Sequence, residues 1–122
     1  FSRFYWHDRF HSTNPKAFHE QIKFSRNLLF NYPPNKKLFF FLNIPSTHIP
    51  YMNFGNNMDS QVKALEEVDK LFPELIDLIP KPCHFFIMSD HGECFGENGL
   101  WGHGFYHPKV MEIPMVNFII YN

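Results

Sequence analysis

An apolar run that ends on an adjacent carboxylate and imidazole constrains this chain more than any other feature. Phe85-Phe86-Ile87-Met88 reads as a buried strand, and Ser89-Asp90-His91-Gly92 follows it directly. Gly96, Gly99, Gly102 and Gly104 then interrupt a long stretch that still carries charge and Trp101. Structureless loops of that length are uncommon in compact domains and are usually functional. Aspartate and histidine together are a usual oxygen-and-nitrogen pair for a divalent cation. Asp90 and His91 are therefore predicted metal ligands, with His103 returning to the same site.

The chain has 122 residues, which bounds it to one domain or part of one. Its net charge is −1, so no basic footprint points to nucleic acid. No apolar run is long enough to cross a membrane. Phe1–Phe10 is aromatic and charged, unlike a signal peptide. The start without Met suggests a processed or cut piece. Cys83 and Cys94 do not make a disulfide framework, and free thiols lean towards a reducing compartment.

In chain order, Phe1–Thr13 has no clean period. His7 and His11 stand four apart, the spacing of one helix face; they are either a two-histidine pair or part of a packed aromatic segment. Asn14-Pro15 is predicted to open a helix as cap and first residue. Phe18, Ile22, Ser25 and Leu29 continue it, and Tyr32-Pro33-Pro34-Asn35 ends it. Lys37–Ile44 is a short aromatic run read as a strand buried on both faces. Ser46-Thr47-His48 follows it between two prolines. A second helix is predicted to start at Asp59 or Ser60, with Val62, Leu65, Val68, Phe72, Leu75 and Ile79 on its apolar side. Pro73 should kink it or restart it. Strand Cys83–Ser89 comes next, then the Gly-rich stretch, and Met115–Tyr121 reads as a last strand.

A strand, a long helical crossover and a strand predict a right-handed parallel unit. The expected fold class is thus α/β, a mostly parallel sheet flanked by helices. Ligands of such sheets bind beyond the carboxyl ends of the strands. His48 follows one such end, and Asp90 and His91 follow the next. His84 and His107 read as satisfied structural histidines. Glu93 and Glu97 are either acceptors that orient a metal-bound histidine or plain loop charge.

The motifs resemble those of the alkaline phosphatase/sulfatase superfamily. Ser89-Asp90-His91-Gly92-Glu93, Gly96-Glu97-Asn98-Gly99-Leu100-Trp101-Gly102-His103-Gly104 and Ile113-Pro114 are similar to its metal-site segment. Phe41–Pro45 with Thr47-His48-Ile49-Pro50-Tyr51 is similar to its strand and Thr-His-x-Pro-Tyr motif. The likeness runs from about Lys37 to Tyr121. It implies a partial alkaline-phosphatase-like fold. It implies Asp90 and His91 as metal ligands, and His48 as a contact to the phosphate or sulfate group or an aid to the leaving group. His103 would contact substrate or bind a second metal. The nitrogen ligand favours zinc or manganese, with calcium or magnesium as alternatives.

The resemblance also sets expectations about what lies elsewhere. Members place a Ser, Thr or formylglycine nucleophile at a helix start, well upstream of the Thr-His-x-Pro segment. Ser2, Ser12, Thr13 and Ser25 have no such setting. The chain is therefore expected to be the carboxyl-side part of a sulfatase-type catalytic domain whose amino-terminal half lies outside it, inactive alone. The expected function is hydrolysis or transfer of a phosphate or sulfate ester. The run Gly-Glu-Asn-Gly to His-Gly is also similar to phosphoethanolamine transferases. The alternative is a non-catalytic module that keeps the fold and binds an anion or a partner.

Overall fold

The computed structural model describes residues 3–122; Phe1 and Ser2 of the amino-terminal segment lie outside the described residues. The chain divides into two compact units, Phe1–Pro80 and Lys81–Asn122.

The first unit is built on two helices, α1 (Ala17–Phe30) and α2 (Met58–Leu78), which pack on one another. On α1 the buried positions are Ala17, Phe18, Gln21, Ile22, Ser25 and Leu29, a stripe at helical spacing. On α2 they are Ser60, Ala64, Val68 and Leu75. The rings of Phe18 and Phe72 stack across the pair at 6.4 Å. The observed α2 stripe starts on small residues, Ser60 and Ala64, while Val62 and Leu65 stay exposed. Small side chains let the 3-10 turn Pro45–Thr47 approach α2, and Ser46 there is fully buried.

Two helix starts differ from expectation by a few residues. Asn14 caps the turn before α1: its Oδ1 accepts from Lys16 N–H at 3.0 Å, and the helix begins at Ala17. Asn57 caps α2 by accepting from Ser60 N–H at 2.9 Å. Pro73 sits within one continuous helix. His7 and His11 accept locally from Arg9 N–H and Thr13 N–H, so each is engaged in its own turn.

The second unit holds four strands: β1 (Cys83–Met88), β2 (Cys94–Phe95), β3 (Trp101–Gly102) and β4 (Met115–Ile120). A single-turn helix, α3 (Pro108–Met111), precedes β4. His107 caps it and Pro108 opens it, which is how a His-Pro pair starts a helix. β1 pairs antiparallel with β4 in the register Cys83 to Ile120 through Met88 to Met115. The rings of Phe85 and Phe118 stack across that pair at 5.3 Å. β2 and β3 form a second antiparallel pair, with Cys94 opposite Gly102 and Phe95 opposite Trp101.

This overturns the expected α/β class with its mostly parallel, alkaline-phosphatase-like sheet. Both sheets are two-stranded and antiparallel, and among the described residues no parallel pair occurs. The parallel unit required residues 37–44 as its first strand. That segment is extended but joins no ladder, and Phe39 and Phe41 are 78% and 69% exposed. An aromatic run without alternation carries no register information. β1 instead finds an equally long apolar partner in β4.

The buried stripe of α1 predicts a sharp contrast between two phenylalanines. Phe18→Ala should lower the stability of the fold by about 3–5 kcal/mol in urea unfolding. Phe30→Ala, on a side chain 87% exposed, should stay within about 0.5 kcal/mol.

Candidate metal centre

The predicted site residues of the second unit fall on one short path, from the end of β1 through the β2–β3 hairpin. Ser89 N–H, just past β1, donates to the Pro114 carbonyl. Gly92 N–H donates to the Val110 carbonyl at 2.8 Å. A Cβ on Gly92 would run into the carbonyl oxygens of Lys109 and Glu112, so this close backbone approach admits only glycine.

Hairpin register then brings the donors together. Cys94 faces Gly102, so the next residues outward, Glu93 and His103, stand opposite one another. Nδ1–H of His103 donates to Glu93 Oε2 at 2.9 Å. His91 lies at the bend just before the hairpin, close to both. The His91 and His103 rings lie 3.9 Å apart between centroids. One donor atom from each of His91, Glu93 and His103 can be chosen so that all lie within 4.8 Å of one another. A group with two imidazoles and a carboxylate at that spacing can hold a divalent metal ion.

The details of each side chain suit that role. Nδ1–H of His91 donates to the Gly92 carbonyl at 2.8 Å. That bond fixes the proton on Nδ1 and turns the Nε2 lone pair outward, the usual support for a ligating histidine. The Glu93 side chain is only 8% exposed. Its Oε1 is buried and has no hydrogen-bond partner among the described residues. It lies over the backbone of Gly102, where a Cβ would come within 3.5 Å and where φ is +87°.

Asp90 stands next to this group, with Oδ1 3.7 Å from His91 Nε2 and a side chain 83% exposed. His48 belongs to the first unit. It ends the turn Pro45–Thr47, is exposed, and donates from Nδ1 to the Ile49 carbonyl at 2.9 Å. Glu93 is the donor that sequence reasoning left between two roles. Its signal was His-x-Glu spacing ahead of a Gly-bounded turn, but strands of two residues are too short to show as a pattern.

The neighbouring polar groups hold the hairpin. Cys94 is buried, and its thiol lies 3.2 Å from His107 Nδ1. Asn98 meets the other ring nitrogen of His107 at 3.2 Å. Burial pushes the Cys94 thiol pKa up, and the Glu97 and Glu93 carboxylates push it further. A protonated thiol facing an imidazole is a structural contact, not a nucleophile. Cys83 and Cys94 are both free thiols.

Compared with family models, with curated proteins and with solved structures, the chain finds no match in any of the three.

Glu97 gives this region an acid dependence. Backbone N–H groups, its own and that of Phe95 at 2.6 Å, hold its carboxyl below the usual carboxylate range. A carboxyl depressed on folding stabilises the fold above its unfolded pKa, and that contribution is lost as pH falls through the folded value. The Phe95 amide proton, followed by NMR in an acid titration, should therefore shift with a midpoint below the ordinary carboxylate value. In Glu97→Gln the step should vanish; an unchanged step would assign it to another group.

Proposed function

We propose that this chain carries part of the site of a metal-dependent hydrolase or transferase acting on a phosphate or sulfate ester. The observation that supports it most is the donor group His91, Glu93 and His103 with Asp90 beside it. The motif resemblance gives that group its chemical class. Two imidazoles favour zinc or manganese over calcium or magnesium, which prefer all-oxygen surroundings. In this reading Asp90 and His91 are metal ligands, and His48 and His103 act on the substrate.

A bound divalent cation would neutralise charge on the transferring group and lower the pKa of the attacking oxygen. The chain's own residues supply the rest. The Gly92 carbonyl holds His91 in the tautomer that presents Nε2. Glu93 holds the Nδ1 proton of His103 in place, so that ring keeps one orientation towards an incoming ester oxygen. The motif resemblance alone gives His48 the role of contacting the ester or protonating the leaving group.

The test is metal analysis of the whole protein with a screen of phosphate and sulfate esters. Asp90→Ala should lose metal and turnover together; near-normal turnover would contradict its assignment as a ligand. His48→Ala should keep its metal and lose roughly 10²–10⁴-fold in kcat, the range for a lost general acid or base. Metal loss in that variant would give His48 a different role. Metal binding with no ester turned over would favour a non-catalytic module that binds an anion or a partner.

A further inference from the structure

The geometry points to Glu93 as a direct ligand: through Oε1 it joins His91 and His103 around one zinc-class ion, with a fourth coordination position left for an oxyanion. The inference rests on the reading above for a metal ion held by His91, but gives the carboxylate position to Glu93 instead of Asp90 and moves His103 from substrate to metal. It is independent of the ester chemistry, and metal kept in Asp90→Ala favours it over the Asp90 assignment.

Four observations carry it. First, one donor atom from each of the three side chains can be drawn from a set lying within 4.8 Å, close enough to close on one ion. Second, Glu93 divides its two oxygens. Oε2 accepts from His103 at 2.9 Å, and Oε1 is buried without a partner among the described residues. A buried carboxylate oxygen with nothing to face is costly, and such exceptions call for an explanation. An acceptor that only oriented His103 would need Oε2 alone. Third, two nitrogens and one carboxylate oxygen make the donor set of an open zinc site, not of a calcium or magnesium cage. Fourth, the adjacent thiol that could have closed a structural site is engaged elsewhere, 3.2 Å from His107 Nδ1. Three protein ligands leave the open position that distinguishes reactive zinc sites from structural ones.

Zinc chloride titrated into the folded chain by calorimetry tests this, with calcium chloride as the comparison. One zinc should bind per chain, and calcium should give no saturable heat at the same concentrations. Glu93→Gln keeps the size of the side chain and an acceptor for His103. Loss of an orienting partner costs about 10–100-fold in metal affinity; loss of a ligand should weaken zinc by more than about 100-fold. X-ray absorption of the zinc-loaded Asp90→Asn variant should still show two imidazoles and a carboxylate. Inorganic phosphate should bind only when zinc is present.

A Glu93→Gln loss of about 100-fold or less overturns the assignment. So does disappearance of the carboxylate scatterer in Asp90→Asn, which would give that oxygen to Asp90. Should Glu93→Gln fail to fold by circular dichroism, the absorption spectrum of Asp90→Asn decides alone. A folded chain that binds no zinc also sinks the inference. Zinc bound through Glu93 with no ester turned over sinks only the enzyme reading. Full turnover in Glu93→Gln sinks only this one.

Discussion

Two backbones meet at Gly92, and the placement of the donors on either side of it, His91 and Glu93, starts from that contact. The Gly92 amide donates to Val110 while the Lys109 and Glu112 carbonyls fill the space a side chain would need. Val110 is buried and anchors α3. His91 and Glu93 flank the glycine, so both leave a fixed point in known directions. The far end of the hairpin is tied as well. His107, the cap of α3, reaches Cys94 at 3.2 Å and Asn98 at 3.2 Å. The same short helix thus restrains the loop at its entrance and near its tip. Immobilised donors lose little freedom when they close on a ligand, which is the physical meaning of preorganisation.

The two acids of the segment have different environments and so different uses. Asp90 is mostly exposed and keeps its hydration, and a surface carboxylate near an imidazole contributes little to the fold. Glu93 has given up its water. A buried carboxylate oxygen left without a hydrogen-bond partner is costly. His103 satisfies Oε2 of Glu93, and Oε1 has no hydrogen-bond partner among the described residues. That imbalance separates the group from an ordinary buried carboxylate with both oxygens satisfied.

What could be read from the residues followed the strength of the pattern. The two long helices, the strand from Cys83 and the strand from Met115 were legible, because each repeats an apolar spacing or fills a short bounded run. Asn57 was missed as the cap of α2, since Asp59 and Ser60 offer equally good capping chemistry two and three residues later. The sheet was misread. Residues 37–44, β1 and β4 are all mostly apolar, with one or two polar residues each and no strict alternation, as central parallel strands are. Composition does not say which segments pair or in which direction, and the antiparallel partnership of β1 with β4 leaves Phe86, Met88, Met115 and Ile119 exposed. At the candidate site His91 and His103 were drawn together by motif and spacing. Glu93 needed the register of a hairpin whose strands are two residues long, and no periodicity survives at that length.

Strand alternation explains why the Cys94 thiol stands apart from the imidazole and carboxylate group. Successive side chains of an extended segment point to opposite faces. Glu93 faces His103 across the hairpin, while Cys94, one step on, takes the other side and meets His107. Had the thiol stood at position 93, its sulfur would have faced the two imidazoles and favoured a closed, thiolate-rich zinc site. With the order as it is, the soft ligand is buried in the scaffold, where desolvation keeps it protonated. The harder carboxylate faces the imidazoles instead. One residue of phase along a short strand thus decides whether a thiol or a carboxylate faces His103.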